Sequence, residues 1–280
     1  RFPGYQPLPS SLPSVLPEAI IPRGVTATEA RAQIESIGAA NEARVNALRA
    51  EFDEAVKSEH QAAIAPDRTH LGVEYNKWRI NRVDLHRRHL EAQEELNEKL
   101  RAVLYQESPA KFTVSNRKIE PGWAKGLQGF RALVGDGWLD DRAIKFKKIK
   151  GRANYGLNDE VRVQAMEDAS VVVHELGHWL EDKNKGIFDA VSKFMERRTA
   201  GEKAVWLGKF SRGYRRDEVT KPDEFMSPYM GKQYFKRNGE RYASEVVSMV
   251  LEYMCSKPLE FARRDPDYFD FIYDLVRKRG

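Results

Sequence analysis

A single cysteine, Cys255, stands among the 280 residues, so no disulfide within the chain can staple the fold. So little cysteine fits a reducing compartment, or a particle assembled in one. Long apolar runs are also missing. None approaches the roughly 20 residues of a membrane-spanning helix, and no membrane partner is expected. Nor is there an excess of one charge. Lys and Arg number 47 against 42 Asp and Glu, a net charge of +5 with the signs interspersed. Nucleic-acid-binding proteins concentrate basic residues on one face, whereas this balance implies a mixed solvated surface and no specific nucleic-acid partner. No secretory signal is visible, and the chain opens on Arg1 rather than Met, so it is expected to be a processed product or an excised piece. A cytoplasmic, virion-associated or injected location is the expectation.

What remains is ample for a core and one or two domains. The first 24 residues hold six prolines. Proline fixes φ and cannot donate to a helix or sheet, so residues 1–25 read as an extended arm. From Thr26 to Ala65 there is no proline, and Gly38 is the only glycine. Ile34, Ile37, Val45, Leu48, Phe52 and Val56 recur at helical spacing, and "TATEA" supplies a hydroxyl cap with an early acid. "APDRTHLG" breaks the pattern around Pro66. A second helix follows, with Trp78, Val83, Leu90, Leu96, Leu100 and Leu104 among its apolar positions. Two long helices with a short break predict an antiparallel hairpin over 26–107. His86 and His89 lie on it and read as solvated surface.

After Ser108 the texture changes to glycines, tryptophans and short mixed segments, so a second domain is placed at 108–280. "IKFKKIKGRANYGL", Ile144 to Leu157, alternates enough for a strand, its lysines guarding an exposed sheet edge or, less simply, forming a basic strip.

The chemistry concentrates in "VVVHELGHWLED", Val171 to Asp182. Burying ionisable side chains is costly unless they are paired or bind a metal. On a helix His174 and His178, four apart, lie on one face, and two imidazoles so placed can chelate one ion. Glu175 beside them can take a proton from water on that ion. This is the HExxH arrangement of zinc proteases. The motif is short, but Val172, Val173, Leu176, Trp179 and Leu180 make the helix apolar and therefore buried. A buried His pair satisfied by its neighbours is the alternative. Gly177 costs about 1 kcal/mol relative to Ala in a helix, which a close approach by another backbone would explain.

A catalytic zinc normally takes three protein ligands and a water. No histidine follows His178. The third ligand is therefore a carboxylate, unless the hairpin supplies an imidazole. Glu181 shares the helix but climbs past the ion. Glu245 in "GERYASEVVSMVLEYM" is the better candidate, on an apolar helix punctuated by Asn238 and Gly239. Glu252, seven residues on, shares its face as a supporting acid or a surface residue.

An HExxH helix, a long insertion and a later helix with an aromatic-small-small-Glu stretch resemble the gluzincin metallopeptidases, in particular those of the anthrax lethal factor catalytic-domain type. Those pair an HExxG/H helix with a Glu on a downstream helix. The resemblance implies one Zn²⁺ held by His174, His178 and Glu245, with Glu175 as general base. "MSPYMGKQY" followed by "YASEVVSM" also resembles predicted metallopeptidase domains of phage head-associated and mobile-element proteins, over about residues 145 to 256. The hairpin has no counterpart in either and is a candidate docking element for a protein partner. Zincins lay an edge strand over the cleft, and "GRANYG", with Arg152, Ala153, Asn154 and Tyr155, stands in the right chain order to pair with a peptide substrate; a plain edge strand is the alternative. For the oxyanion donor the chain offers Tyr229, aimed from a Pro-Gly turn, then Tyr234. Tyr242, three residues before Glu245, is expected to pack on the helix.

The expectation is an α+β, mostly helical protein in which a helical hairpin precedes a zincin-like domain with a small sheet, acting as a zinc-dependent endopeptidase. A structural phage head or assembly protein with a silent protease fold, and a toxin or effector protease cutting one host protein, are the alternatives.

Overall fold

The computed structural model describes residues 25–64, 71–156 and 158–277. The proline-rich arm, the break around Pro66 and His70 lie outside them. The fold is α+β and mostly helical, with eight α-helices and three small sheets among the described residues. None of these helices is long and apolar enough to cross a membrane.

Helices α1 (Ala27–Ile64) and α2 (Leu71–Leu104) form the hairpin. Thr26 and Glu29 close a capping box at the start of α1: the Glu29 N–H donates to the Thr26 hydroxyl at 3.2 Å, and the Thr26 N–H to the Glu29 carboxylate at 2.7 Å. The two helices run antiparallel, because cross-helix partners move in opposite directions along the chain. Asn41 meets Lys99, Arg44 meets Glu95, and Phe52 meets His86. The packed stripe of α2 runs through Leu85, His89, Ala92, Leu96 and Leu100. Val83 and Leu90, read as part of the apolar face, are 58% and 48% exposed. A helix that leans on one partner buries only a narrow stripe, and apolar residues turned off it meet water. His89 is correspondingly buried rather than solvated, while His86 is exposed as expected.

At its base the hairpin enters the main core. Ala27, Ala30, Ile34, Leu96, Leu100, Val103 and Leu104 belong to the same buried cluster as the helices that follow residue 108. Paired Arg–carboxylate contacts, Arg31 with Asp270 and Arg263 with Glu35 and Glu42, line that junction.

The four-stranded sheet comprises β1 (Thr113–Val114), β2 (Ala143–Lys148), β3 (Asn154–Gly156) and β4 (Glu160–Val163), in the order β1-β2-β4-β3. β1, β2 and β4 are parallel, and β3 runs antiparallel to β4 at the edge. The stretch read as one strand from Ile144 to Leu157 is thus two strands with a break at 149–153. Ile144 and Phe146 point into the core while Lys145, Lys147 and Lys148 face solvent. β2 pairs with β1 only at Ala143 and Ile144 and with β4 from Lys145 to Lys148, so its lysines lie on the outer face of a strand whose second half has a strand on one side only.

Helix α3 (Pro121–Leu133) packs on α4 (Ala169–Lys183), the central helix, whose Val172, Val173, Leu176, Trp179 and Leu180 are fully buried. After α5 (Lys185–Arg198) comes the two-stranded sheet of β5 (Val205–Trp206) and β6 (Val219–Thr220), then the hairpin of β7 (Gln233–Phe235) and β8 (Arg241–Ser244). The segment read as a helix from Gly239 onward therefore begins as a strand. Asn238 and Gly239 make the β7–β8 turn, with Gly239 at φ 83°, where a side chain would be strained. Helix α6 (Val246–Ser256) starts only after it, followed by α7 (Pro258–Arg264) and α8 (Pro266–Arg277).

Candidate metal centre

Helix α4 presents His174 and His178 on one face, with ring centroids 5.0 Å apart. Asp168 caps the helix by accepting from the Ser170 N–H at 2.8 Å. Against this face runs α6. The two backbones meet where Gly177 faces Ser248: a Cβ on residue 177 would lie 2.6 Å from the Ser248 Cα. Any side chain there would push the helices apart, and this close approach is what the glycine permits in a helix that otherwise disfavours it.

The crossing brings the start of α6 onto the histidines. Glu245, fully buried, sits at the N-cap of α6 rather than within it. Its main-chain N–H donates to the Lys232 carbonyl at 3.1 Å, which ties the helix start to the chain just before β7. Its Oε2 stands 3.3 Å from His174 Nε2 and 3.3 Å from His178 Nε2. The ligand atoms of His174, His178 and Glu245 all lie within 4.8 Å of one another, and the three could hold a metal ion. The spacing fits such an ion. Atoms about 2.0–2.1 Å from a tetrahedral zinc are about 3.3 Å from each other, whereas a good N–H···O hydrogen bond spans about 2.7–3.2 Å. Two imidazoles and a carboxylate are also a donor set suited to zinc.

Supporting contacts orient the three residues. Glu252, about two turns beyond Glu245 on α6, reaches His174 Nδ1 at 2.9 Å and leaves Nε2 directed at Glu245. Orienting a ligating imidazole through its other nitrogen is the usual work of a supporting acid at a metal. The Tyr234 hydroxyl donates to Glu245 Oε1, and the Ser248 hydroxyl to Glu245 Oε2 at 3.0 Å. Burial opposes charge on Glu245, but His178 and His174 outweigh it and hold its carboxyl well below the usual range. Burial likewise opposes charge on His174, and Glu245 and Glu252 outweigh it, raising its pKa to about 10.

Glu175 is buried beside these residues. Burial pushes its carboxyl above the usual value, while the two histidines and a main-chain N–H of Tyr155 work the other way. That contact sets β3 against the centre; of the four residues that the sequence places on the edge strand, Asn154 and Tyr155 lie on it and Arg152 and Ala153 precede it. The Tyr155 hydroxyl turns away to Asp182 at 2.8 Å.

Tyr229 lies in a 3₁₀ turn, Pro228–Gly231. Gly231 is needed there, since a Cβ would fall 1.9 Å from the Lys221 carbonyl oxygen. The Tyr229 hydroxyl accepts from Arg152 Nη2 at 2.9 Å. Burial, then the charge of Glu245, raise the pKa of both Tyr229 and Tyr234, so both phenols keep their protons. Tyr242 does not pack on the helix: it is on β8 and 49% exposed. Of the histidines left open as a third ligand, His60, His86 and His89 are not members of the group.

Two buried features carry no signal of periodicity or spacing. Lys232 Nζ sits 4.5 Å, 5.0 Å and 5.9 Å from the ring centroids of Tyr234, Tyr229 and Tyr214 and pairs with Glu218 at 2.8 Å, which fixes the tyrosine wall. Glu181, one turn past His178, accepts from the Ser244 hydroxyl at 2.9 Å and pairs with Arg241, so it anchors β8 and the start of α6 to α4. No family model, no curated protein and no solved structure matches the chain.

Proposed function

We propose that the chain is a zinc-dependent peptidase that hydrolyses peptide bonds. The observation that carries this reading is the convergence of His174, His178 and Glu245, whose Oε2 lies 3.3 Å from each imidazole Nε2, beside the buried carboxylate of Glu175. Zinc held by His174, His178 and Glu245 would lower the pKa of a water to about 7 and polarise a carbonyl. Glu175 takes the water's proton and passes it to the leaving amine. Its burial favours that role, because a base works best when its pKa is raised toward the working pH. The free edge of β3 pairs with the extended substrate and holds the scissile bond over the centre.

Tyr229 is the better oxyanion donor of the two tyrosines. Tyr234 donates to Glu245 in the closer contact, while the oxygen of Tyr229 accepts from Arg152 and its hydroxyl interacts more weakly with Glu245 and Tyr234. Its own hydrogen can then be directed at the oxygen that becomes negative when water adds. Tyr229→Phe is expected to keep zinc and fold but to lower kcat about 10²–10³-fold with KM nearly unchanged. Full activity in Tyr229→Phe and loss in Tyr234→Phe would assign the role to Tyr234.

The direct test is metal analysis with peptide digestion. One zinc per chain is expected, absent from His174→Ala and His178→Ala. New peptide N-termini should appear with the wild type, vanish with a chelator and return with added zinc. A zinc-loaded chain that cuts no peptide or protein would overturn the peptidase reading, and zinc retained in both mutants would overturn the centre.

A further inference from the structure

We propose that Arg152 selects substrates that carry a carboxylate within about two residues of the scissile bond, an extended spacing of about 3.3 Å per residue. The inference rests on the peptidase reading and adds the substrate class.

Arg152 lies two residues before the edge strand and three before the Tyr155 main chain that faces Glu175. Its side chain bridges to the opposite wall, where it bonds the Tyr229 hydroxyl at 2.9 Å with the guanidinium 5.9 Å from the ring centroid. The charge therefore lies beside the path a strand-paired peptide would take. Among the described residues it has no carboxylate partner within ion-pair distance. Glu245 acts on it from farther off, and that carboxylate is already engaged by Tyr234, Ser248 and the two histidines.

The neighbouring cations differ. Lys183 is paired with Asp159 and Asp182, Lys232 with Glu218, and Arg162 with Glu160. Arg152 alone of these four meets only a neutral hydroxyl. A guanidinium has five N–H donors in a planar fork that matches a carboxylate, and one hydroxyl leaves most of them unused. Exposed Lys150, two residues earlier, adds charge of the same sign at the same end of the strand. At the other end Tyr155 meets the Asp182 side chain, so the two ends of the strand differ in charge. The fitting ligand is a carboxylate, from an Asp or Glu side chain or from the peptide's own C-terminus.

The test uses the zinc-loaded full chain and peptides from a cleaved sequence, with Glu, Gln or Lys at each of two positions on either side of the scissile bond. Each is made with a free and an amidated C-terminus. In the wild type, kcat/KM for the best Glu peptide should exceed its Gln counterpart by about tenfold, the size of one charge-assisted hydrogen bond. The ratio should approach one in Arg152→Gln, and Arg152→Glu should favour Lys over Glu. Raised salt should shrink the wild-type ratio, since the guanidinium is partly exposed. A preference that follows the free C-terminus and not the side chain would identify the chain end as the source of the carboxylate. If both variants lower all peptides equally with ratios unchanged, Arg152 merely holds Tyr229 and the inference falls. A wild type that shows no acid preference overturns it as well. A wild type that cuts nothing overturns the peptidase reading, and this inference with it.

Discussion

Glu175→Gln is expected to lose hydrolysis about 10²–10⁴-fold, the usual contribution of a general base, while keeping its zinc and its fold. The substitution preserves the shape of the side chain and removes only its capacity to take a proton. Glu175 is not one of the three converging ligands, so metal binding should stay near the wild-type level. The fold should not suffer either. The carboxylate is held in a site that penalises its charge, as its raised pKa records, and a neutral amide there is easier to bury. Three measurements belong together: single-turnover hydrolysis of a cleaved peptide, zinc content, and thermal unfolding. A rate near wild type in the zinc-loaded variant would remove Glu175 as the base. A lost rate together with lost zinc would instead place Glu175 among the ligands.

Glu245→Ala is expected to abolish stoichiometric zinc binding, and Glu252→Ala to weaken it about 10–100-fold, the typical cost of losing an orienting partner. The two acids face the same histidine from different sides. Glu245 is fully buried and its Oε2 is shared by both Nε2 atoms, so its removal would take away one of the three proposed ligands. It also strips Tyr234 of its acceptor, while the Ser248 hydroxyl keeps the Glu245 main-chain carbonyl at 3.2 Å. Leaving buried donors without a partner costs about 1–3 kcal/mol, so part of the loss should appear in stability. Glu245→Gln separates the two effects, because it keeps an acceptor for Tyr234 but offers the metal a neutral ligand. Among the described residues the Glu252 carboxylate bonds only His174 Nδ1, and its side chain is 29% exposed. Competition against a chromogenic chelator gives the affinities. Equal losses in the Glu245 and Glu252 variants would show that the third ligand had been misplaced, and a larger loss in Glu252→Ala would move it there.

The local parts were legible in the chain by itself. Helical spacing from Ile34 to Leu104, uninterrupted by proline except near Pro66, defines two long helices, because a helix is written in residues close in sequence. The same holds for α4: the four-residue step from His174 to His178 puts both imidazoles on one face whatever surrounds them. Gly177 announced a close neighbour without naming it. That neighbour is Ser248, and only the crossing of α4 and α6 shows that the approach delivers Glu245 to the histidines. Spacing within α6 could not show it, since Glu245 precedes the helix as its cap. Nor could the alternation of Ile144 to Leu157 reveal the break that makes β3 the edge strand, because alternation reports which face is buried and not which strand lies alongside. Val83 and Leu90 failed for a related reason: apolarity marks a face as able to be buried, and the number of partners decides whether it is. The partnerships of Glu181 with Ser244 and Arg241, of Lys232 with three tyrosines, and of Arg152 with Tyr229 join residues far apart in the chain. Charged side chains become interior or poised only through the groups that surround them, and those groups come together only in the tertiary structure.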